Sequence, residues 1–407
     1  VTTDHTHIII GAGQAGGRAA EAMRKAGFQG RVILIGEEPE PPYERPPLSK
    51  AVLTGDKAPV STRLLAPEFY ADNNIELITG TRAEAIDAQR HTVTLADGKT
   101  INYSKLLLAT GGRVRELPSA RIGTPGVFYL RTIADSLALG AALREAKRLV
   151  VIGGGFLGLE VAASAKKLGV EVAVLELAPH CLDRAMAPGI ARFVADIHRR
   201  KGVELHLGAA ATGIEGTTVT LADGARIAAD LVLVSIGIIP NSELAQAAGA
   251  KVENGIVVDE FGRTSLEDIY AVGDVANHPN PLLGRRLRLE SWQNAQNQAI
   301  ATARGMCGAP APYAEVPWFW SDQFEFNIQM VGAPLTTDEV VVRGDPAGPR
   351  FMCFNRAGGG VVGATAFNMG GEIRFARKFV ELKAAIDPAA LADPSKKLKD
   401  IAGALAG

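Results

Sequence analysis

The 407-residue chain has room for two or three domains, each with its own core. Its 47% hydrophobic and 21% charged residues match an ordinary globular protein, and a net charge of −1 gives no overall attraction to nucleic acid or an anionic membrane. Three widely separated cysteines, Cys181, Cys307 and Cys353, argue against a secreted disulfide framework, and seven histidines without ligand spacing argue against a metal site.

The first residues, VTTDHTHIIIGAG, carry no basic segment and no cleavage-type pattern, and no apolar run approaches the ~20 residues of a membrane span, so a cytoplasmic location without membrane contact is expected. An apolar strand, His7–Ile10, leads into Gly11-x-Gly13-x-x-Gly16 and a helix-like run rich in Ala, Glu, Arg and Lys. A second strand, RVILIGEE, ends at Glu37. HTVTLADGKTINYSKLLLATG (91–111) then predicts a hairpin with an Asp-Gly turn and an apolar strand ending in Ala109, Thr110 and Gly111.

The same order returns. RLVVIGGGFLGLEVAASAKKLGV places Gly153-x-Gly155-x-x-Gly158 after the strand Leu149–Ile152, and VEVAVLE ends at Glu176. TTVTLADGARIAADLVLVSIG (217–237) repeats the hairpin, including seven identical residues, TVTLADG at 92–98 and 218–224. A lone glycine motif is a common loop pattern, but two of them, each between strand and helix and each followed by an acid, predict a duplicated dinucleotide-binding fold. The first glycine makes the tight turn, the second lets backbone approach a pyrophosphate, and the third lets helix pack on strand. The helix start offers N–H groups to the phosphates, and the strand-end carboxylate accepts from ribose hydroxyls.

Further along, EDIYAVGDVA (267–276) puts Gly273 and Asp274 after an apolar strand, where Asp274 suits either a polyol chain or a helix cap. Residues from Trp292 to 306 predict a helix. Beyond Pro317 come PWFWSDQ, the strands EVVVRG and RFMCF, and helical segments near 372–386 and 397–406. No two cysteines have the spacing of a redox pair, and the region after the first acid, EEPEPPYERPPLSKAVL, has none. Glu176 would repel a 2′-phosphate, by ~4 kcal/mol at 4 Å and an effective dielectric near 20, and the next arginine is Arg184, eight residues on, which favours a dinucleotide with a free ribose diol.

Two GxGxxG turns, the ATG at 109–111 and the late Gly-Asp pair together resemble the two-dinucleotide-binding flavoproteins. YERPPLSK, GGGFLGLE, LESWQNAQNQA and PWFWSDQ narrow the resemblance to the FAD-dependent NADH:ferredoxin reductases of bacterial oxygenase systems, the biphenyl dioxygenase and putidaredoxin-reducing types. The resemblance covers nearly the whole chain. It implies an α/β fold with two Rossmann-like domains and a small C-terminal α+β domain. Residues 1–112 and 240–316 would form the FAD-binding domain, 113–239 the NADH-binding domain and 317–407 the third.

By that resemblance Gly11, Gly13, Gln14, Ala15 and Gly16 would cradle the FAD pyrophosphate and Glu37 its adenosine ribose, with Ala83 on the adenine side. Arg45, Lys50, Ala109, Thr110, Gly111, Arg131, Gly273, Asp274, Ser291 and Trp292 would serve the rest of FAD. Gly153, Gly155, Phe156, Leu157, Gly158, Glu160, Glu176, Arg184 and Gly237 would serve NADH. Lys50 and Glu160 would pair near flavin N5 to set the hydride-transfer distance, and Trp320 would lie toward the acceptor or simply fill a core.

The implied partner is a [2Fe–2S] ferredoxin, docked transiently by charge on RLRLE (Arg286, Arg288) or RFARK (374–378), and feeding a Rieske dioxygenase or haem monooxygenase of aromatic hydrocarbon catabolism. Ile300 stands where the putidaredoxin-reducing type carries a basic residue. A monomer or homodimer would serve. Two other readings stay open: an NADH oxidase or quinone-type reductase, and an NADH-sensing interaction protein resembling apoptosis-inducing factor.

Overall fold

The computed structural model describes residues 5–335 and 337–405 and divides into two compact units. Unit 1 comprises residues up to Glu44, Val60–Arg113 and Ile239–Pro317, and unit 2 comprises Arg45–Pro59, Val114–Ile238 and the residues from Trp318 onward. Among the described residues no helix is long and apolar enough to cross a membrane.

Unit 1 is built on a five-stranded sheet in the order Ile269–Ala271, Lys105–Leu108, Thr6–Ile10, Arg31–Ile35, Ile75–Ile78. Every pair in it is parallel. Its strands read as continuous apolar runs because both faces are covered. Ile8, Ile10, Ile33, Ile35, Leu106 and Leu108 join one core with Val93, Leu95 and Ile101 of the three-stranded hairpin sheet. Ile9, Val32, Leu34 and Leu107 face the other way, into a core with Ala19, Met23, Ala299 and Ala303. Those last four lie on two helices, α1 (Gln14–Lys25) and the helix Trp292–Met306. Strand alternation thus divides one apolar run between two cores.

Unit 2 repeats the scheme. Its parallel sheet runs Val203–Leu207, Glu171–Glu176, Arg148–Ile152, Leu231–Val234, Val127–Phe128. Glycine-turn helix α2 is Phe156–Lys167, and α3 is Pro188–Arg200. The twin TVTLADG hairpins form twin three-stranded sheets, and each carries its irregularity at the matching place, Ala83/Ala85 in one and Ala211/Gly213 in the other. The duplication therefore extends to a bulge that the repeated heptapeptide does not itself contain.

The segment from Trp318 forms a five-stranded antiparallel sheet, Trp318–Gln323, Phe326–Val331, Gly360–Phe367, Phe351–Ala357, Glu339–Gly344, with the amphipathic helix Ile373–Glu381 packed on it. The helix expected at 397–406 spans Leu398–Ala404, and residue 406 lies outside the described residues. Sequence boundaries separate this segment from the second dinucleotide fold, whereas its contacts group the two in one unit, along with Arg45–Pro59. The helix that opens at Trp292 and closes at Met306 has the bounds expected from its sequence, α4 (Trp292–Met306).

Candidate functional site

Each glycine turn is built the same way. Gly11 has φ +108° and Gly153 φ +109°, the left-handed region that favours glycine. A Cβ on Gly11 would sit 2.2 Å from the Ala109 carbonyl oxygen, and one on Gly153 would sit 2.2 Å from that of Ser235. Gly16 and Gly158 are closed as tightly, with a Cβ falling 1.9 Å and 2.1 Å from the Gly11 and Gly153 oxygens. Gly13 and Gly155 differ: a Cβ there would meet nothing within 4 Å. The first and third glycines pack protein on protein, and the middle one faces open space.

That open space lies at a helix start. Gly13 and Gly155 are the N-caps of α1 and α2, and neither helix has a capping side chain or an acidic residue in its first turn. Some other helices of the chain are capped by side chains: Thr132 and Asp135 form a capping box on Ile133–Glu145, and Ser291 Oγ accepts from Asn294 N on α4. Two helix ends with free N–H groups and partial positive charge, each beside a cleared glycine, fit the phosphates of a dinucleotide.

In unit 1 some of the expected residues abut the first turn and others are held elsewhere in the unit. Ala109 abuts Gly11, and Thr110 and Gly111 are held by Asn241, through Thr110 Oγ1 to Asn241 O (2.7 Å) and Asn241 N to Gly111 O (2.9 Å). Gly273, φ +76°, would place a Cβ 3.2 Å from that of Ala15, and its N–H donates to Gln298 Oε1 at 2.9 Å. Gln14 reaches Gln296 on α4 at 3.5 Å. Asp274 lies in the short helical turn Gly273–Val275, and its carbonyl accepts from Arg288. Trp292 Nε1 donates to Glu44 Oε1 at 3.3 Å. Glu37 is an exposed carboxylate 3.6 Å from Arg82, the residue before Ala83, which is itself buried.

The two strand-end acids are not register equivalents. Ile35 and Leu175 occupy the same place, each pairing with the last residue of the central strand and each accepting from the first glycine. Glu176 follows Leu175 directly, whereas Gly36 follows Ile35 and the acid comes one residue later. A Cβ on Gly36 would sit 2.5 Å from that of Ala12, so no acid fits there. Glu176 is fixed by two backbone donors, Gly154 N to Oε2 at 2.7 Å and Ala178 N to Oε1 at 2.8 Å. Gly237, φ +98°, stands 3.7 Å from Arg184 Nη2, measured from the place of a Cβ.

Unit 2 also holds Arg45, Lys50, Arg131, Glu160 and Trp320. Arg45 Nη1 donates to the Arg131 carbonyl at 2.7 Å. Lys50 Nζ is 3.0 Å from Glu160 Oε1, the pairing expected from the sequence. Three residues that sequence reasoning passed over complete the surroundings of Glu160. Ser49 Oγ donates to Oε2 at 2.5 Å and Ser321 Oγ to Oε1 at 2.6 Å, while Ser164 Oγ holds the Ser49 carbonyl at 2.7 Å. The available signal was the alternation in WFWSDQ. Trp318 and Trp320 stack on one strand face, ring centroids 5.2 Å apart, while Phe319 and Ser321 on the other meet Phe156 and Glu160 of α2.

Two features set limits. Burial pushes the Cys181 thiol up to about 11, with Glu176 adding to it, and the Cys353 thiol up to about 12; Cys307 is also raised by burial, so none is poised as a thiolate. The candidate docking run RLRLE is anchored to the protein's own carbonyls. Arg286 gives its guanidinium to the Val258 and Asn277 carbonyls at 2.5 Å, and Arg288 pairs with Glu290 at 2.8 Å on a side chain only 11% exposed. Both arginines tie down backbone. In RFARK, Arg374 is exposed over the Phe375 ring.

Comparison with known proteins agrees with this geometry. Residues 5–299 match the pyridine nucleotide-disulphide oxidoreductase family and residues 318–402 the reductase C-terminal family. The chain is 42% identical, over 96% of its length and 98% of the relative's, to the anthranilate 1,2-dioxygenase system ferredoxin–NAD(+) reductase component of Burkholderia cepacia. It is 40% identical to the putidaredoxin reductase of Pseudomonas putida, over 98% of this chain and 96% of that one. The fold matches the reductase in a covalent putidaredoxin reductase–putidaredoxin complex with a TM-score of 0.95 at 40% identity, covering 99% of both chains. The chain belongs to the pyridine nucleotide-disulphide oxidoreductase family and is an FAD-dependent oxidoreductase that binds NAD(P).

Proposed function

We propose that the protein is an NADH:ferredoxin reductase that passes electrons, one at a time, to a [2Fe–2S] ferredoxin serving a Rieske dioxygenase or haem monooxygenase of aromatic catabolism. The carrying observation is the matched pair of uncapped glycine-turn helices, one in each unit. FAD, when bound, supplies the conversion of a two-electron hydride into single-electron transfers. The named relatives reduce or serve ferredoxins of oxygenase systems, which supports the choice of acceptor.

The residues divide the work. Gly11, Gly13, Gln14, Ala15, Gly16, Glu37, Ala83, Ala109, Thr110, Gly111, Gly273, Asp274, Ser291 and Trp292 form the FAD set, in the domain made of 1–112 and 240–316. Gly153, Gly155, Phe156, Leu157, Gly158, Glu176, Arg184 and Gly237 form the nicotinamide dinucleotide set in 113–239. Glu176, its carboxylate held by two backbone donors, accepts a ribose diol and repels a 2′-phosphate, so NADH is preferred over NADPH. Lys50 and Glu160 fix the reacting groups by position rather than by proton transfer. Arg45 and Arg131 steady the same region, and Trp320 lies toward the acceptor. The protein works in the cytoplasm.

Purified holoenzyme tested anaerobically with NADH, ferredoxin and cytochrome c gives the test. Cytochrome reduction that depends on added ferredoxin supports the proposal. Fast oxygen consumption without ferredoxin overturns it in favour of an oxidase. Lys50→Met is expected to slow flavin reduction by NADH at least tenfold, and an unchanged rate removes Lys50 from the site.

A further inference from the structure

The carboxylate of Glu160 ends a chain of hydrogen bonds that runs through the C-terminal sheet to α3. Ser321 Oγ donates to Glu160 Oε1 at 2.6 Å, Gln323 Nε2 donates to Ser321 Oγ at 3.0 Å, and Gln323 Oε1 lies 2.9 Å from His198 Nε2. All four residues are buried: Ser321, Gln323 and His198 are at 0% exposure. An amide oxygen only accepts, so His198 carries its proton on Nε2, and Nδ1 is left buried without a hydrogen-bond partner. Burial pushes the His198 imidazole down to about 4, so the ring is neutral in the working pH range.

Every bond in this chain points one way. His198 gives to Gln323, Gln323 to Ser321, and Ser321 to Glu160. Ser49 gives to the other carboxylate oxygen, and Lys50 to the same oxygen as Ser321. Such a polarity holds the carboxylate in one orientation, since each neighbour presents a donor to it. The strand pleat makes it possible, because Phe319, Ser321 and Gln323 share one face, meeting Phe156, Glu160 and His198 in turn.

We propose that Ser321, Gln323 and His198 are positioning residues for the redox reaction, forming a one-way donor relay by which the C-terminal segment holds the Glu160 carboxylate aimed at Lys50. The proposal rests on the reading of Lys50 and Glu160 as the positioning pair, and predicts that the relay tunes that pair rather than only cementing the fold.

The experiment compares holoenzymes carrying Ser321→Ala, Ser321→Thr, Gln323→Leu and His198→Asn with Lys50→Met and Glu160→Gln. Three quantities are measured: melting temperature, the limiting rate of anaerobic stopped-flow flavin reduction by NADH, and the NADH affinity from the concentration dependence of that rate. Ser321→Ala and Gln323→Leu are expected to slow the limiting rate about tenfold with little change in NADH affinity. Ser321→Thr, which keeps the hydroxyl, restores the rate, and His198→Asn, which keeps a donor, falls between. If the relay variants lose only melting temperature while the limiting rate stays at wild type, the relay is structural and the inference fails. If Lys50→Met and Glu160→Gln leave flavin reduction unchanged, the reading of the pair fails instead. Should Ser321→Ala fail to fold, Gln323→Leu and His198→Asn carry the same readouts.

Discussion

Glu160 and Ser321 stand 161 residues apart in the chain, and their side chains meet at 2.6 Å. The first lies on the helix of the second glycine turn, the second on the opening strand of the C-terminal sheet. With Ser49 and Lys50 added, one buried carboxylate gathers three side-chain donors. Breaking a buried pair from one side costs more than the pair contributes, because the remaining group is left uncompensated.

Glu160→Ala is therefore expected to destabilise by about 3 kcal/mol, since it strands two serine hydroxyls and the Lys50 ammonium. Glu160→Gln keeps an acceptor and a similar shape and costs less. Calorimetric melting of the holoenzyme distinguishes them, and equal losses for the two substitutions would mean that packing, not charge, dominates the site.

The two glycine turns predict separable losses. Gly16→Ala drives a Cβ to 1.9 Å from the Gly11 carbonyl oxygen, and Gly158→Ala to 2.1 Å from that of Gly153. Neither oxygen is a flexible side-chain tip, so the turn itself must shift, at roughly 1–3 kcal/mol of overpacking. Gly16→Ala is expected to purify with little flavin, and Gly158→Ala to stay yellow while its NADH affinity falls at least tenfold. Flavin content by absorbance and NADH titration check both.

In the proposed reading Glu176 sets the dinucleotide preference. Removing its charge in Glu176→Ala should raise the kcat/KM ratio of NADPH to NADH by on the order of a hundredfold, within the ~4 kcal/mol of like-charge repulsion at short range. A ratio that stays constant would place the discrimination elsewhere, with Arg184 the next residue to vary.

Three histidines make stability depend on acid. His7, His198 and His278 are each pushed by burial from 6.5 down to about 4. The folded chain resists protonation that the unfolded chain accepts. Stability is therefore full above about pH 6.5 and falls as pH drops toward 4, by up to ~1.4 kcal/mol per pH unit for each ring. His7 stacks on Phe28 with centroids 4.0 Å apart, so His7→Phe preserves shape and removes one titration. Melting temperature against pH should flatten by about a third in that variant.

How much of this was readable in the chain differs from element to element. Gly11, Gly16, Gly153 and Gly158 announce their turns because local sterics demand glycine at those places whatever surrounds them. The sheets and hairpins were readable for the same reason: apolar runs and Asp-Gly turns act over a few residues. The one-residue offset between Glu37 and Glu176 was not, because it follows from the contact of Gly36 with Ala12 across the turn. Nor was it readable that Arg286 and Arg288, both in the candidate docking run, also bind the protein's own carbonyls and a carboxylate.

Sequence by itself determined the duplicated dinucleotide fold and the absence of a cysteine pair, since these depend on short-range spacing and composition, while Lys50 and Glu160 were singled out by resemblance to a family. Only the tertiary structure decided that Ser49, Ser321, Gln323 and His198 surround and extend that pair. Hydrogen bonds between side chains more than a hundred residues apart leave no local periodicity, and a serine or glutamine that will be fully buried looks in sequence like any surface polar residue.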